Sequence, residues 1–251
     1  MKQNNPAPHT ARKSQFAVGA ASMATASLAL LPTGAQAGSP QTLSQYEAAN
    51  PGAGYREIFI SQDTTTAASA DMNSYNAFVN SEASQPGGPG GVQWAAVIST
   101  PTISALQNTD CLAACDAVPI FDLQGKEIAA STTAFFGGGI LSYITVNQFG
   151  VNDGGGAGGY AWTGSTAAGA IFSQHYASGG GVIQGSSVYP TNTVNPNVLD
   201  IGFAPSSNSA SLYGISQEII PTVNAVPEPA SMSLFGLGAA ALAVLRRRRK
   251  A

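Results

Sequence analysis

The stretch from Val226 to Ala251, VPEPASMSLFGLGAAALAVLRRRRKA, most limits what this chain can fold into, because its two halves do not suit one compact body. Residues 230–245 are uncharged and mostly small or apolar, and Arg246, Arg247, Arg248, Arg249 and Lys250 follow at once. As a helix the run is about 24 Å long at about 1.5 Å per residue, short of a hydrocarbon core of about 30 Å. It crosses only with local thinning and with the arginines snorkelling to the interface. Consecutive cations resist translocation and fix that end in the cytoplasm, so everything before it is expected outside. As a buried core helix, the run would end on five like charges with no partner block in the chain.

An exposed domain needs an entry signal, and the first 37 residues have the three-part form of one. Lys2, His9, Arg12 and Lys13 give a basic start without acids, Phe16 to Leu31 is apolar and small, and Ala35-Gln36-Ala37 is an A-x-A cleavage site. Pro32 and Gly34 break any structural helix there. Cleavage after Ala37 leaves a mature domain running from Gly38 to about Val226.

The order Pro227-Glu228-Pro229, short Gly/Ala/Leu-rich helix, arginine cluster resembles the PEP-CTERM sorting signal of Gram-negative bacteria. The resemblance implies an exported protein held in the inner membrane until an exosortase, a cysteine-dependent transpeptidase, cuts near the triplet. Pro227, Glu228 and Pro229 are then the processing site, residues 230–250 are discarded, and the partners are the exosortase and the export machinery. The resemblance covers about a tenth of the chain. Many unrelated domains can carry such a tail, so it addresses the protein without defining what the domain does.

Charge is informative only once the signals are set aside. Of the Lys and Arg residues only Arg56 and Lys126 lie between positions 38 and 226, against twelve acids, for a formal charge of −10. Two cations cannot neutralise a phosphate backbone, which argues against nucleic acid and equally against anionic lipid as partners of the domain. Low charge with abundant Gly, Ser, Thr, Ala and Asn suits a β-rich exported domain with long polar loops, and recurring aromatic and β-branched clusters argue against disorder. Cys111 and Cys115 sit in TDCLAACD without a nearby histidine, which is no four-ligand zinc site. Outside the cytoplasm they read as a disulfide closing a short loop, with two free thiols the alternative.

Along the mature chain, residues 38–54 read as a lead-in segment. Tyr55–Ile60 is a strand, and residues 67–83 form the best helix, with Met72, Tyr75 and Val79 on one face, Asn73, Asn76, Asn80 and Ser81 polar, and Ser69 or Asp71 as cap. PGGPGG at 86–91 ends it. Val92–Ser99 is a strand with Val92, Trp94, Ala96 and Ile98 on one face. Further strands are expected at 119–123, 126–129 after a Gln124-Gly125 turn, 140–146 and around Tyr160–Trp162, with shorter β-prone pieces at 170–172, 182–184, 201–203 and 211–219. No fixed internal period supports a solenoid or propeller.

One early helix among many short, mainly antiparallel strands implies an α+β domain over residues 55–222. It is flanked by the signal peptide, a linker at 223–229, a transmembrane helix at 230–245 and a basic cytoplasmic tail at 246–251. The order YREIFI, DMNSYNAFV, WAAVIST, VPIFDLQGKEIA, AWTGSTAAG also resembles C-type-lectin-like and endostatin-like folds over roughly residues 55–169. That family's calcium-dependent sugar site uses a Trp-Asn-Asp motif; here Trp162 precedes Thr163 and Gly164, so no sugar-binding residue carries over and Trp162 reads as core.

Candidate chemistry is sparse. His175 is the single histidine of the mature domain, and no G-x-S-x-G elbow accompanies its serines. Asn152–Gly156 offers one carboxylate, too few for a calcium loop. Glu57 and Asp63 are the carboxylate pair most visible in the sequence, of the kind a glycosidase needs. The glycine runs lack the Lys-Ser/Thr ending of phosphate loops. No cofactor, metal or catalytic residue is therefore assigned. The expected protein is an exported, transiently anchored surface or matrix component, a non-enzymatic binding, adhesive or structural module that meets extracellular polysaccharide or matrix proteins. The alternative is a secreted hydrolase acting on polysaccharide or protein.

Overall fold

A computed structural model describes residues 40–110, 117–187 and 198–222. Cys111, Cys115, the signal with Ala35 and Ala37, and the tail with Pro227, Glu228, Pro229, Arg246, Arg247, Arg248, Arg249 and Lys250 lie outside the described residues. Among the described residues no helix is long and apolar enough to cross a membrane; the segment at 230–245 lies beyond them.

The described elements are α1 (Leu43–Ala49), β1 (Arg56–Ile60), β2 (Thr65–Thr66), α2 (Met72–Ala83), β3 (Trp94–Ala96), α3 (Ala105–Asn108), β4 (Ile120–Asp122), β5 (Glu127–Ala129), α4 (Thr132–Phe136), β6 (Tyr160–Trp162), β7 (Val182–Ser186), β8 (Gly202–Ala204) and β9 (Ser209–Ser216). This is a mixed α+β domain dominated by a sheet. The strand order is β5-β4-β1-β9-β6-β7-β8, with β2 and β3 also joined to β9. β9 runs antiparallel to β1, β2 and β3 and parallel to β6, while β1 and β4 are parallel.

Alternation along the strands sends side chains to two separate cores. Ile58, Ile60, Ile120, Ile128, Phe135, Ile144, Tyr213 and Ile215 fill one face. Phe59, Tyr75, Val79, Trp94, Ile98, Trp162 and Leu212 fill the other, with α2 over them. Trp162 is fully buried and donates from Nε1 to the Thr65 carbonyl at 2.9 Å. Val92, Trp94, Ala96 and Ile98 share one cluster, as their alternation predicts.

Helix α2 starts at Met72 because Asp71 is the cap, its Oδ1 accepting from the Asn73 N–H at 3.0 Å. Ser69 is held outside the helix by the Tyr75 hydroxyl, which bonds both its N–H and its carbonyl. The asparagines expected on a solvated face do structural work. Asn80 bonds both backbone groups of Trp94 at 2.6 and 3.0 Å, Asn76 accepts from the Ala96 N–H at 2.9 Å, and Asn108 donates to the Ala96 carbonyl at 2.7 Å. Side-chain amides thus stand in for a neighbouring strand along the outer edge of β3, satisfying groups that burial would otherwise leave unpaired.

Two expectations need correction. The lead-in contains α1, and α3 and α4 also form, so the single early helix is one of four among the described residues. The short helices rest on local caps: α1 and α3 have capping boxes, Thr42 with Gln45 and Ser104 with Gln107, and Ser131 caps α4. The expected strand at 140–146 is not a ladder. Its backbone makes only isolated bridges, Ala129 to Ile140 and Val146 to Asn152, while Ile140, Ile144 and Val146 are buried. Burial of its apolar side chains, which the alternation reported, does not require pairing. Of the two cations of the domain, Arg56 is interior, with Nε on the Ser216 carbonyl at 2.8 Å and both terminal nitrogens on the Thr109 carbonyl at 3.1 Å. Lys126 is exposed.

Candidate functional site

An open groove of about 460 Å³ runs between the Gly87–Gly90 loop that terminates α2 and the turn at Gln148–Gly150, with Glu57 and Leu123 completing its wall. The turn is built by Asn147, whose Oδ1 accepts from the N–H groups of Phe149 and Val151 at 2.9 and 3.0 Å. Gln124 ties its far side by donating to the Gly150 carbonyl at 2.9 Å. Phe149 is left 39% exposed at the rim. Glu57 is the groove's one carboxylate. Burial, then Asp122 and Glu47, push its pKa above the ordinary glutamate value.

A second carboxylate lies behind this wall, and the sequence did not single it out. Glu82 of α2 is only 3% exposed. Its Oε2 accepts from Gln148 Nε2 at 2.8 Å and from the Asp63 N–H at 3.1 Å, and its Oε1 accepts from Gln85 Nε2 at 2.8 Å. Burial raises its pKa; the Asp63 N–H works against that, and the charge of Asp63 adds to it. Asp63 is therefore set beside Glu82, and the pair visible in the sequence, Glu57 with Asp63, is not the pair that the fold makes. Beyond Ile60 the chain leaves the ladder and rejoins β9 at β2 in the same direction, with Ser61 Oγ donating to the Asp63 carbonyl at 2.7 Å.

Two further acids are committed to turns, the buried Asp122 and the exposed Asp153. Asp122 Oδ1 accepts from the N–H groups of Gln124 and Lys126, both at 2.9 Å, which builds the β4–β5 hairpin; burial still raises its pKa. Asp153 accepts from Gly155 N–H at 2.9 Å and Asn147 Nδ2 at 2.8 Å. Its loop is packed, with Gly154 and Gly155 buried. Gly155 has φ +80°, and a Cβ there would lie 2.8 Å from Ile60 Cγ1 and 2.9 Å from Ser211 Oγ. Among the described residues no three His, Cys, Asp or Glu side chains converge as metal ligands would.

His175 is half-buried in an aromatic setting. Its ring stacks on Phe203 with centroids 4.6 Å apart and planes at 19°, and lies 5.6 Å from Phe172. Nδ1 is 3.1 Å from the Gly181 carbonyl. No hydroxyl or carboxylate is bonded to it among the described residues, so the fold does not assemble a Ser-His-acid arrangement around it. Phe203, whose exposure the sequence could not reveal, is the residue missed on this side.

The fold and these surfaces define an α+β module with a few buried charged groups tied into its interior. Residues 225–249 match the PEP-CTERM protein-sorting motif. That motif makes the chain an exported protein sorted by an exosortase, and it implies transient anchoring in the membrane before release to the cell surface. No curated protein matches the chain.

Proposed function

We propose that the protein is a non-enzymatic surface or extracellular-matrix module, delivered by exosortase sorting and acting by binding, adhesion or structural support. The sorting motif at 225–249 carries this reading. The use of the buried Asp122 and Glu82 as hydrogen-bond acceptors inside the fold supports it, because these carboxylates are spent on structure. Processing falls at Pro227, Glu228 and Pro229, after entry with cleavage at Ala37, and Arg246 to Lys250 set the orientation until the cut. The resemblance to C-type-lectin-like folds fits one long helix over a mainly antiparallel sheet and belongs to the same proposal. Cys111 and Cys115 form a local disulfide in the exported protein. Extracellular polysaccharide or other matrix proteins are the partners.

Fractionation of cells with and without exosortase tests it. The expected result is membrane-associated precursor without the enzyme and matrix-associated, shortened protein with it. A precursor wholly soluble in both strains would overturn the proposal. A secreted hydrolase is the second reading, favoured by one observation, the raised pKa of Glu57 in an open groove. Release of reducing sugar or peptide by purified protein, lost in Glu57→Gln, would establish the hydrolase in place of the module.

A further inference from the structure

We infer that the Phe203–His175 stack at the β8 edge of the sheet is a carbohydrate-stacking site for a neutral polysaccharide. This rests on the binding reading above and names its ligand class and its surface. Phe203 is 66% exposed, yet its ring is held in place by the stacked imidazole at 4.6 Å. The ring therefore offers apolar surface to a partner, and the imidazole stacked on it already restricts its rotamers. Pre-ordering lowers the cost of binding, because little rotamer freedom remains to be lost.

The surroundings select the ligand. Residues 172–181 and 202–204 contain no Asp, Glu, Lys or Arg, so nothing there would pair with a charged polymer. The domain's charge of −10 disfavours a polyanion further. A hexopyranose presents a face of C–H groups, which the electron-rich face of a phenyl ring attracts, ringed by hydroxyls that need polar partners. Those partners are at hand. The Gly181 carbonyl can only accept, so the hydrogen bond puts the proton on Nδ1 and leaves Nε2 of a neutral ring as an acceptor. Gln174 and Ser178, both exposed and both at positive φ, 67° and 71°, flank the same turn. Gly181 keeps the stack closed: a Cβ there would come 3.1 Å from Phe203 Cδ2 and 3.5 Å from His175 Nδ1.

The test is native affinity electrophoresis of the exported protein in gels containing dextran, a β-glucan or a mannan, with alginate as the acidic control. Retardation is expected in at least one neutral gel and not in alginate. Phe203→Ala should weaken it about tenfold or more, Phe203→Tyr should preserve it, and His175→Ala should weaken it less. Unchanged melting of Phe203→Ala excludes unfolding as the cause. No retardation in any neutral gel, or retardation indifferent to Phe203→Ala, overturns the inference. So does a Phe203-dependent association with phosphatidylcholine vesicles, or Phe203-dependent dimerisation in sedimentation velocity, without glycan binding. The module reading survives each of these failures if exosortase-dependent matrix association persists, which keeps the two separable.

Discussion

The groove end of the molecule and its β8 edge are built on opposite terms. Around the groove, Glu82, Gln148, Asn147, Asp63 and Asp153 are joined by short hydrogen bonds and most of their acceptors are occupied. At the edge, Phe203 stacks on His175, whose ring lies tilted against that of Phe172, and Phe203 presents most of its surface to solvent. β8 lies four strands along the sheet from β1. The carboxylate of Glu57 and the imidazole of His175 thus belong to separate surfaces. The difference is one of means: hydrogen bonds of carboxylates and amides hold the groove end, whereas ring contacts hold the edge.

The comparison is sharpest at Gly155. Gly155→Ala adds a side chain at positive φ against Ile60 and should cost about 3 kcal/mol, lowering the thermal midpoint by roughly 6–12 °C. A neutral outcome in differential scanning calorimetry would show that the 152–156 loop is loose after all. Glu82→Ala strands Gln148, Gln85 and the Asp63 N–H together and should cost about 2 kcal/mol. A loss under about 0.5 kcal/mol in urea titration would break the claim that this end is locked.

Stability should also fall as pH rises. Glu57, Glu82 and Asp122 have folded-state values above their unfolded ones, with burial the leading cause in each. Each therefore contributes stability that is complete below the ordinary carboxylate value of about 4 and is lost as pH climbs through the raised value. Melting curves from pH 4 to pH 8 should show a decline of a few degrees, and Glu57→Gln should flatten it. A midpoint that rises across that range would reverse the assignment. Phe203→Ala is the smallest change, within about 0.5 kcal/mol, because the side chain is already mostly in water. A loss matching that of Glu82→Ala would mean that the edge is as structural as the groove.

Much of the architecture was legible where side-chain alternation and burial coincide. YREIFI became β1, the Trp94 face entered one core, the hairpin turned at Gly125, and α2 ended before PGGPGG. The capping boxes at Thr42 and Ser104 are S/T-x-x-Q signals too, but they open helices of only seven and four residues, too short to carry an apolar stripe. Residues 140–146 misled for the converse reason, since an apolar alternation records burial and is silent about hydrogen-bond partners.

By itself the sequence determined the destination of this protein. A sorting signal is read locally, from a triplet, an uncharged run and a cation cluster in fixed order, and needs no fold to be recognised. The same locality divided the charge, leaving the domain at −10. Only the tertiary structure decided which acid meets which, that α2's asparagines complete the edge of β3, and that Phe203 is exposed beside His175. These facts join residues 14 to 28 positions apart, and a pairing across such separations is set by sheet order and packing, which no local pattern encodes.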